Sequence, residues 1–302
     1  NNDNAYSVDY IVPNIKNTYI STTLSYDIDL DRNYTKSVSI ERPFISAFLK
    51  WAGGIKVGQQ FRSEIPIDTT FVKDNQNFKF NNQDYWIGRS FQVFSGNSEN
   101  DRTTNLITSA RYYRTNYLEK ASPLYDSADY YSNEQLYLIG IGVASRRFKQ
   151  SKYIFNYGVI EDVPIGIVYG LTGGYQLKND DYLYYFGGRF SLGNFYNWGY
   201  LSSNLEYGTF YKNSSEQTTL SLNLIYFTNL IEGKKWKFRQ FIKPELLIGT
   251  NRIDSRFDRV TLNDNDGIRG FNSDILYGTK KMLVTFQTQG YSPWNLWGFR
   301  LN

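Results

Sequence analysis

The sequence predicts an all-β protein, built as an antiparallel transmembrane β-barrel, and three observations support this prediction. The 302-residue chain is 18% aromatic and contains 27 tyrosines, a surplus that suits a β-protein whose rings lie at an interface. Long segments alternate apolar residues with polar residues or glycine, as strands do when their two faces meet different surroundings. The connectors between these segments are alternately short and long.

The composition excludes several classes of chemistry. The chain has no histidine and no cysteine, so it offers no imidazole general base, no thiol nucleophile, no Ser-His-Asp triad and no cysteine-rich zinc site. We also predict that the chain is not an enzyme and needs no metal or other cofactor. A net charge of +4 is too small to indicate a nucleic-acid partner. No segment approaches the ~18 to 20 consecutive apolar residues of a membrane helix.

The clearest alternation lies in residues 218–228, where leucine and tyrosine share one parity and serine and asparagine begin the other. The pattern recurs in residues 197–212 and 164–177, with glycine prominent on the polar side. Because glycine lets other backbone pass closely, we expect the polar side to line a lumen and the apolar side to face lipid. In residues 218–228 the apolar set is Leu220, Leu222, Leu224 and Tyr226, and Ser221 and Asn223 belong to the polar set.

Twelve strands are predicted, and a thirteenth begins at Gly298. Residues 135–160 are counted as one strand, with two strands as the alternative because residues 145–152 interrupt the pattern. With one strand, the three longest connectors fall on the same rim, which is typical of the extracellular side of an outer-membrane barrel with short periplasmic turns opposite. These connectors are 64–82, 117–134 and 250–278. The predicted strands are 18–29, 34–44, 51–62, 83–95, 103–116, 135–160, 164–177, 182–193, 197–212, 216–229, 235–250 and 279–291.

A soluble β-sandwich or propeller is the alternative fold. Such proteins have shorter strands, and their outer faces are polar. Ten of the predicted strands have 12 to 16 residues, which exceeds the usual length of about five or six, and the aromatic face is the outer one. Tryptophans near the strand ends fit the aromatic girdles of a membrane protein, although packing alone also explains a terminal tryptophan. They are Trp51, Trp86, Trp198, Trp236, Trp294 and Trp297.

A glycine-bracketed arginine lies in the longest connector, in the stretch Asp264-Asn265-Asp266-Gly267-Ile268-Arg269-Gly270-Phe271. By composition alone, a solvated turn explains this stretch. Its last four residues resemble the Val/Ile-Arg-Gly-Phe/Tyr signature of the BamA/TamA outer-membrane assembly and two-partner-secretion barrel superfamily, the bacterial surface antigen family. In that family the motif lies in the sixth extracellular loop, after strand eleven. The strand count places it after the eleventh strand here as well.

Further stretches are similar to the barrel portion of this family and, in order, cover nearly the whole chain. The resemblance implies a barrel of the 16-stranded type, with about 12 to 13 strands in this chain. It also implies a lead-in from the periplasmic side at residues 1–16, a barrel over residues 17–302 that lacks its C-terminal strands, and a loop six at residues 251–278. The stretches are Glu41-Arg42-Pro43-Phe44, Trp51-Ala52-Gly53-Gly54, Gly88-Arg89-Ser90-Phe91, Glu161-Asp162-Val163-Pro164-Ile165-Gly166 and Ser292-Pro293-Trp294.

The resemblance implies that the loop-six motif folds back into the lumen and that Arg269 pairs with the inner wall. A guanidinium suits this role because its five donors form a rigid fork. The equivalent wall position is Gln287, where the family usually has glutamate, and Gln287 points inward by parity. A neutral amide supplies no charge, so either the loop is held less tightly or a partner on strand thirteen contributes. The motif residues are Gly267, Ile268, Arg269, Gly270 and Phe271.

The resemblance further implies a lateral seam between the first and last strands, with Thr18, Thr22 and Tyr26 on its first strand. Such a seam inserts or translocates client polypeptides by pairing with their strands. The partners it implies are outer-membrane lipid, client β-barrel or secreted polypeptides, and periplasmic or lipoprotein accessory subunits. The expected location is the cell outer membrane. Two alternatives are a passive outer-membrane channel and a membrane anchor for an enzyme domain fused upstream.

Overall fold

The computed structural model of the chain describes residues 4–45, 48–64, 75–96, 98–252, 258–263, 267–273, 276–297 and 299–300. Strands dominate these ranges, and the helical residues form one 3-10 turn, Ile15–Asn17, and one short helix, Glu99–Thr103 (α1). The first nine strands are Tyr6–Val12 (β1), Ser21–Ile28 (β2), Tyr34–Arg42 (β3), Trp51–Glu64 (β4), Gln76–Gln92 (β5), Thr104–Glu119 (β6), Glu134–Lys152 (β7), Ile160–Lys178 (β8) and Asp181–Tyr196 (β9).

The second part of the chain alternates long strands with very short ones. The long strands continue the main sheet, whereas most of the two-residue strands belong to the connectors. These elements are Gly199–Tyr211 (β10), Ser215–Thr228 (β11), Ile231–Glu232 (β12), Lys237–Thr250 (β13), Val260–Thr261 (β14), Tyr277–Gly278 (β15), Lys280–Tyr291 (β16), Asn295–Leu296 (β17) and Phe299–Arg300 (β18).

A single 14-stranded antiparallel sheet contains the long strands in chain order, from β1 through β11 to β13 and then β16. The short β12 pairs with the beginning of β13. Two separate hairpins, β14 with β15 and β17 with β18, complete the described strands. The all-β prediction is therefore confirmed.

The described strands do not close into a barrel, so the transmembrane barrel stays a prediction. The two outermost long strands, β1 and β16, each pair with a single neighbour and not with each other. The predicted thirteenth strand is represented by β18, which pairs only with β17. Gly298, where that strand was predicted to begin, lies outside the described residues.

The first strand of the sheet is Tyr6–Val12, within the residues predicted as a lead-in. This segment has the period-two pattern of the other strands, because Tyr6, Val8 and Tyr10 alternate with Ser7 and Asp9. It pairs along its length with β2. The strand predicted to begin at residue 18 is therefore the second strand of the sheet and begins at Ser21.

The segment 135–160, for which one strand was predicted and two were the alternative, contains one long strand, β7, which covers Glu134–Lys152. Its pairing with β8 continues without interruption from Glu134 to Lys152. By strand order, the connectors between β4 and β5, β6 and β7, and β13 and β16 fall on one rim. The latter two are long, at 120–133 and 251–279, whereas the first spans only 65–75 because β5 begins at Gln76, and it equals the connector 93–103 of the opposite rim in length. We call the rim with these three connectors the long-loop rim and the opposite edge the short-turn rim.

The sheet is curled around its polar face. Residues 153–159, the crossing segment, connect β7 to β8, yet they contact Tyr291 and Gln289 on β16. On a flat sheet, five strand spacings would separate β8 from β16 by about 24 Å, whereas the middle of this connector reaches only about 10 Å from its ends. The contacts therefore require the sheet to curve.

A small apolar core lies under the crossing segment at the short-turn rim. Ile154 and Val163 pack there with Tyr200, Phe227 and Phe241, and each of the five is less than a tenth exposed. This core fixes the curled sheet at its short-turn rim.

Candidate functional site

The register of the sheet sorts its side chains into two faces of opposite character. Directly paired residues point to the same side, and the side alternates along each strand. From β5 to β11 one face is dominated by large apolar side chains, and we call it the apolar face. Its members include Ile87 on β5, Ile139 and Ile141 on β7, Tyr169 and Leu171 on β8, Phe186 and Phe190 on β9, and Leu205 and Tyr207 on β10.

These apolar side chains are largely exposed. Ile139 is 70% exposed, Leu171 is 69% exposed, and Phe286 on β16 is 74% exposed. The face continues on β1, where Tyr6, Val8 and Tyr10 are more than half exposed. A soluble monomer rarely exposes a contiguous apolar patch larger than a few hundred Å². An apolar surface across a 14-stranded sheet therefore calls for an apolar environment.

A row of six tyrosines crosses the apolar face near the long-loop rim. Each tyrosine is directly paired with the next on six successive strands, from β5 to β10. On β5 and β6 the apolar face turns polar beyond the row, at Gln83, Asn81 and Arg114. The row therefore marks the boundary of the apolar band. Its members are Tyr85, Tyr112, Tyr137, Tyr175, Tyr184 and Tyr211.

A second aromatic group lies at the short-turn rim. Trp198 stacks on Tyr196 with ring centroids 4.9 Å apart and also contacts Tyr226, and Trp236 packs on Trp294 at 5.5 Å. On β9, Tyr184 and Tyr196 lie twelve positions apart, about 40 Å of strand. A tilt of about 45° reduces this to ~28 Å, close to the apolar thickness of a bilayer.

The opposite, polar face carries glycine, hydroxyl, amide and charged side chains. Arg111 donates to both oxygens of Asp84 at 2.8 and 2.5 Å, and Arg189 lies 3.4 Å from Glu206. A groove of about 580 Å³ runs over this face from β6 to β10. Its polar side chains include Ser109, Thr172 and Tyr185, in addition to three of the charged residues above.

The crossing segment closes the short-turn end of the polar face. Arg239 is 4% exposed, and its guanidinium donates to the carbonyl oxygens of Tyr153 and Thr228 at 2.8 Å each and of Lys152 at 3.2 Å. The Tyr291 hydroxyl donates to the carbonyl of Ile154 at 2.8 Å. Local sequence patterns do not single out Arg239, because two of its three acceptors lie 86 and 87 positions away.

Glu161 orders the crossing segment from the other side. Its Oε2 accepts backbone N–H bonds from Ile154 at 3.1 Å and Phe155 at 2.9 Å. Its Oε1 accepts from the Asn156 side chain at 3.0 Å. The Phe155 ring stacks on Phe241 with centroids 5.5 Å apart. The segment is thus held by charged, backbone and aromatic contacts at once.

The loop-six motif forms a compact turn at the long-loop rim. The Ile268 amide donates to the Leu262 carbonyl at 2.9 Å, and the Phe271 amide donates to the Ile268 carbonyl at 3.0 Å. Gly270 has a φ of +73°, a conformation that glycine adopts without strain. Gly267 packs against the backbone of Leu262 with no room for a side chain. Residues 264–266 of the predicted motif stretch lie outside the described residues.

Arg269 is exposed, and it makes no hydrogen bond or ion pair with another residue in the described ranges. Its predicted wall partner, Gln287, does face the polar side but accepts a hydrogen bond from Lys243 Nζ at 3.0 Å. Gln287 also lies 3.5 Å from Gln289. The structure therefore does not bring Arg269 and Gln287 together.

A different arginine holds the base of this loop. Arg252 forms a bidentate pair with Asp258, which is 8% exposed, and also donates to Thr219 Oγ1 on β11 at 2.9 Å. Asp258 also affects the pKa of Tyr130, which lies in the connector between β6 and β7. Burial raises the pKa of the Tyr130 phenol, and the Asp258 carboxylate raises it further. The sequence signal for this pair is weak: an arginine two positions after the end of a strand, with an aspartate six positions later.

The predicted seam residues lie near, but not at, the free edge of the sheet. Thr18 follows the 3-10 turn, and its hydroxyl donates to the Ile15 carbonyl at 2.6 Å. Thr22 and Tyr26 lie on β2, where each is paired with both β1 and β3. The free edges belong to β1 and β16.

The described residues contain no cluster of three or more side chains able to hold a metal ion. No helix in the described ranges is long and apolar enough to cross a membrane. The chain matches no protein-family model, no curated protein and no solved structure.

Proposed function

We propose that this chain is the barrel-forming part of an outer-membrane protein that inserts β-barrel clients or translocates polypeptides through a lateral opening. In this proposal the chain is not an enzyme, and its partners are outer-membrane lipid, client polypeptides and periplasmic or lipoprotein accessory subunits. The resemblance of Gly267 to Phe271 to the BamA/TamA signature motivates the proposal.

The observation that carries the membrane part of the proposal is the exposed apolar face. Burial of apolar surface contributes roughly 25 cal/mol per Å², so a face this large strongly favours contact with lipid over contact with water. The tyrosine row near one rim and the tryptophan-containing group at the other bound a band of suitable thickness.

The observation that supports client handling is the unpaired edge of β1 among the described strands. A strand edge offers a row of unpaired N–H and C=O groups, and in lipid each unpaired group costs several kcal/mol. The edge of β1 therefore favours pairing with another strand. In the proposed mechanism an incoming client strand supplies that pairing, and backbone hydrogen bonds and lipid burial drive insertion without a nucleotide.

A passive channel is the second candidate, because the polar face carries a groove of about 580 Å³. The crossing segment argues against free conduction, since it covers the short-turn end of this face and is fixed by Arg239. A membrane anchor for a fused enzyme would use the same apolar face. An activity assay on the full-length protein separates that case from the other two.

Cysteine cross-linking tests the proposal cleanly because the chain has no cysteine of its own. Ser7→Cys places a thiol on the free edge strand β1, and Ser37→Cys places one on β3, which is paired on both sides. With the chain in membranes that are assembling a client carrying one cysteine in a membrane strand, we expect disulfides to the client at Ser7→Cys only. Equal cross-linking at both positions, or none at Ser7→Cys, would contradict the proposal.

Solute flux through the same membranes tests the channel. The assembly proposal predicts no increase in small-solute uptake above that of vesicles without the protein. Steady uptake together with absent client cross-links would favour the channel.

A further inference from the structure

An unusual arginine lies on the apolar face at the short-turn rim. Arg89 is exposed and is paired by register with Trp51 on β4. Its guanidinium carbon lies 4.8 Å from the Trp51 ring centroid and 4.7 Å from the Phe91 ring centroid. Two aromatic rings therefore hold one cation near the end of β5, which terminates at Gln92.

Arg89 makes no ion pair or hydrogen bond with any other residue in the described part of the chain. Three other arginines, Arg42, Arg111 and Arg189, differ in this respect. Arg42 donates to the carbonyl oxygens of Thr18 at 3.0 Å and Trp51 at 2.8 Å. Arg111 and Arg189, on the polar face, pair with acidic side chains. Arg89 is thus a positioned cation with all its donors available.

The surroundings of Arg89 are apolar on the side away from the rim. Ile87, two positions earlier on β5, is 54% exposed, and Ile55 on β4 is 49% exposed. Both lie on the apolar face. Trp51 and Phe91 are 46% and 40% exposed. A ligand here meets a guanidinium and aromatic edges at the rim and an aliphatic surface beyond them.

We propose that Arg89, Trp51 and Phe91 form a binding site for the headgroup phosphate of an anionic phospholipid, whose acyl chains lie along Ile87 and Ile55. A guanidinium binds phosphate oxygens in a bidentate manner, and amphipathic aromatic rings favour the boundary between headgroups and hydrocarbon. The inference rests on the proposed membrane location of the apolar face. A free anion would gain nothing from the aliphatic surface, which is why the occupant is a lipid.

The test is lipid retention by the whole chain, reconstituted in vesicles of phosphatidylcholine and phosphatidylglycerol and then extracted for native mass spectrometry. We expect the wild-type chain to retain phosphatidylglycerol about fivefold more than its share of the vesicle lipid, the factor that one basic residue contributes near an anionic surface. Arg89→Gln should abolish this enrichment, and Arg89→Lys should keep part of it. Added inorganic phosphate should not displace the lipid.

The matched control is Arg114→Gln, since Arg114 is an exposed arginine on the same face near the long-loop rim. Enrichment should be unchanged in this variant. Equal loss in Arg114→Gln, or persistent enrichment in an Arg89→Gln protein that folds and inserts, would overturn the inference. Displacement by inorganic phosphate would assign the site to free anions instead and would also overturn it. If the wild-type chain fails to insert into any vesicle, the proposed function itself fails, which is a distinguishable result.

Discussion

The guanidinium of Arg239 donates a 2.8 Å hydrogen bond to the carbonyl oxygen of Tyr153, a residue 86 positions earlier in the chain. This contact joins β13 to the segment that connects β7 and β8. Together with the bonds to Lys152 and Thr228, it fixes the curvature of the sheet at the short-turn rim. The polar face is therefore covered at this end by a segment of the chain itself.

Replacing Arg239 with methionine should destabilise the folded chain by about 3 kcal/mol, because three carbonyl groups lose their common donor in a buried site. The measurement is the free energy of unfolding in urea, with the chain in vesicles. The rate of proteolytic cleavage after Lys152 reports whether the crossing segment is released. Arg189→Gln provides the control, since Arg189 is exposed and its ion pair should contribute at most about 1 kcal/mol. Equal stability of the two variants would contradict the assigned role of Arg239.

Asp258→Asn should loosen the loop that follows β13, because it removes the charge that faces the Arg252 fork in a buried position. A spin label at Thr261 should become more mobile in this variant. Arg269→Ala should have the smaller effect on mobility, since Arg269 is exposed. A larger increase in spin-label mobility in the Arg269→Ala variant than in the Asp258→Asn variant would instead support the sequence-based prediction that Arg269 anchors the loop.

Two adjacent glycines on β8 should respond differently to alanine. A Cβ atom on Gly174 would overlap the backbone carbonyl oxygen of Tyr137, whereas a Cβ atom on Gly173 would meet nothing within 4 Å. Gly174→Ala should therefore cost about 1 to 3 kcal/mol, and Gly173→Ala should be close to neutral. The heat-induced unfolding of both variants is monitored through their mobility in a gel. Similar melting of the two variants would show that the strands shift freely here.

A charge on the apolar face should hinder membrane insertion. Ile141→Arg places an arginine among exposed aliphatic residues and should cost about 2 to 4 kcal/mol if that position lies near the bilayer centre. Ser109→Arg lies at a similar height on the polar face, where it borders the groove, and should insert normally. The measurement is the fraction of each variant that resists extraction from vesicles. Normal insertion of Ile141→Arg would argue against lipid contact at this face.

Local alternation was sufficient to predict most of the sheet. The three leucines and the single tyrosine of residues 218–228 lie on one face of β11, and residues 134–152 form the single strand that the connector pattern favoured. The strand Tyr6–Val12 carried the same alternation but was assigned to a lead-in on the resemblance. The strand β5 begins at Gln76, earlier than predicted, because Phe78 packs against Tyr125 and Tyr131 in a distant connector.

The contacts that shape the candidate site were not predictable from local pattern. Two of the three acceptors of Arg239 lie 86 and 87 positions away, and the partner of Tyr291 lies 137 positions away; no periodicity encodes such pairs. The motif at Gly267 to Phe271 was recognisable as a turn, yet its sequence does not state which arginine fixes the loop. Whether the sheet closes likewise depends on pairing between distant edges.

The most direct test of lipid contact uses single spin labels at two neighbouring positions of the cysteine-free chain in vesicles. Leu171→Cys lies on the apolar face and Thr172→Cys borders the polar groove. We predict that collisions with lipid-soluble oxygen dominate at position 171, while collisions with a water-soluble nickel chelate dominate at position 172. Preferential access of the nickel chelate to position 171 would show that this face lies in water and would contradict the proposed lipid contact.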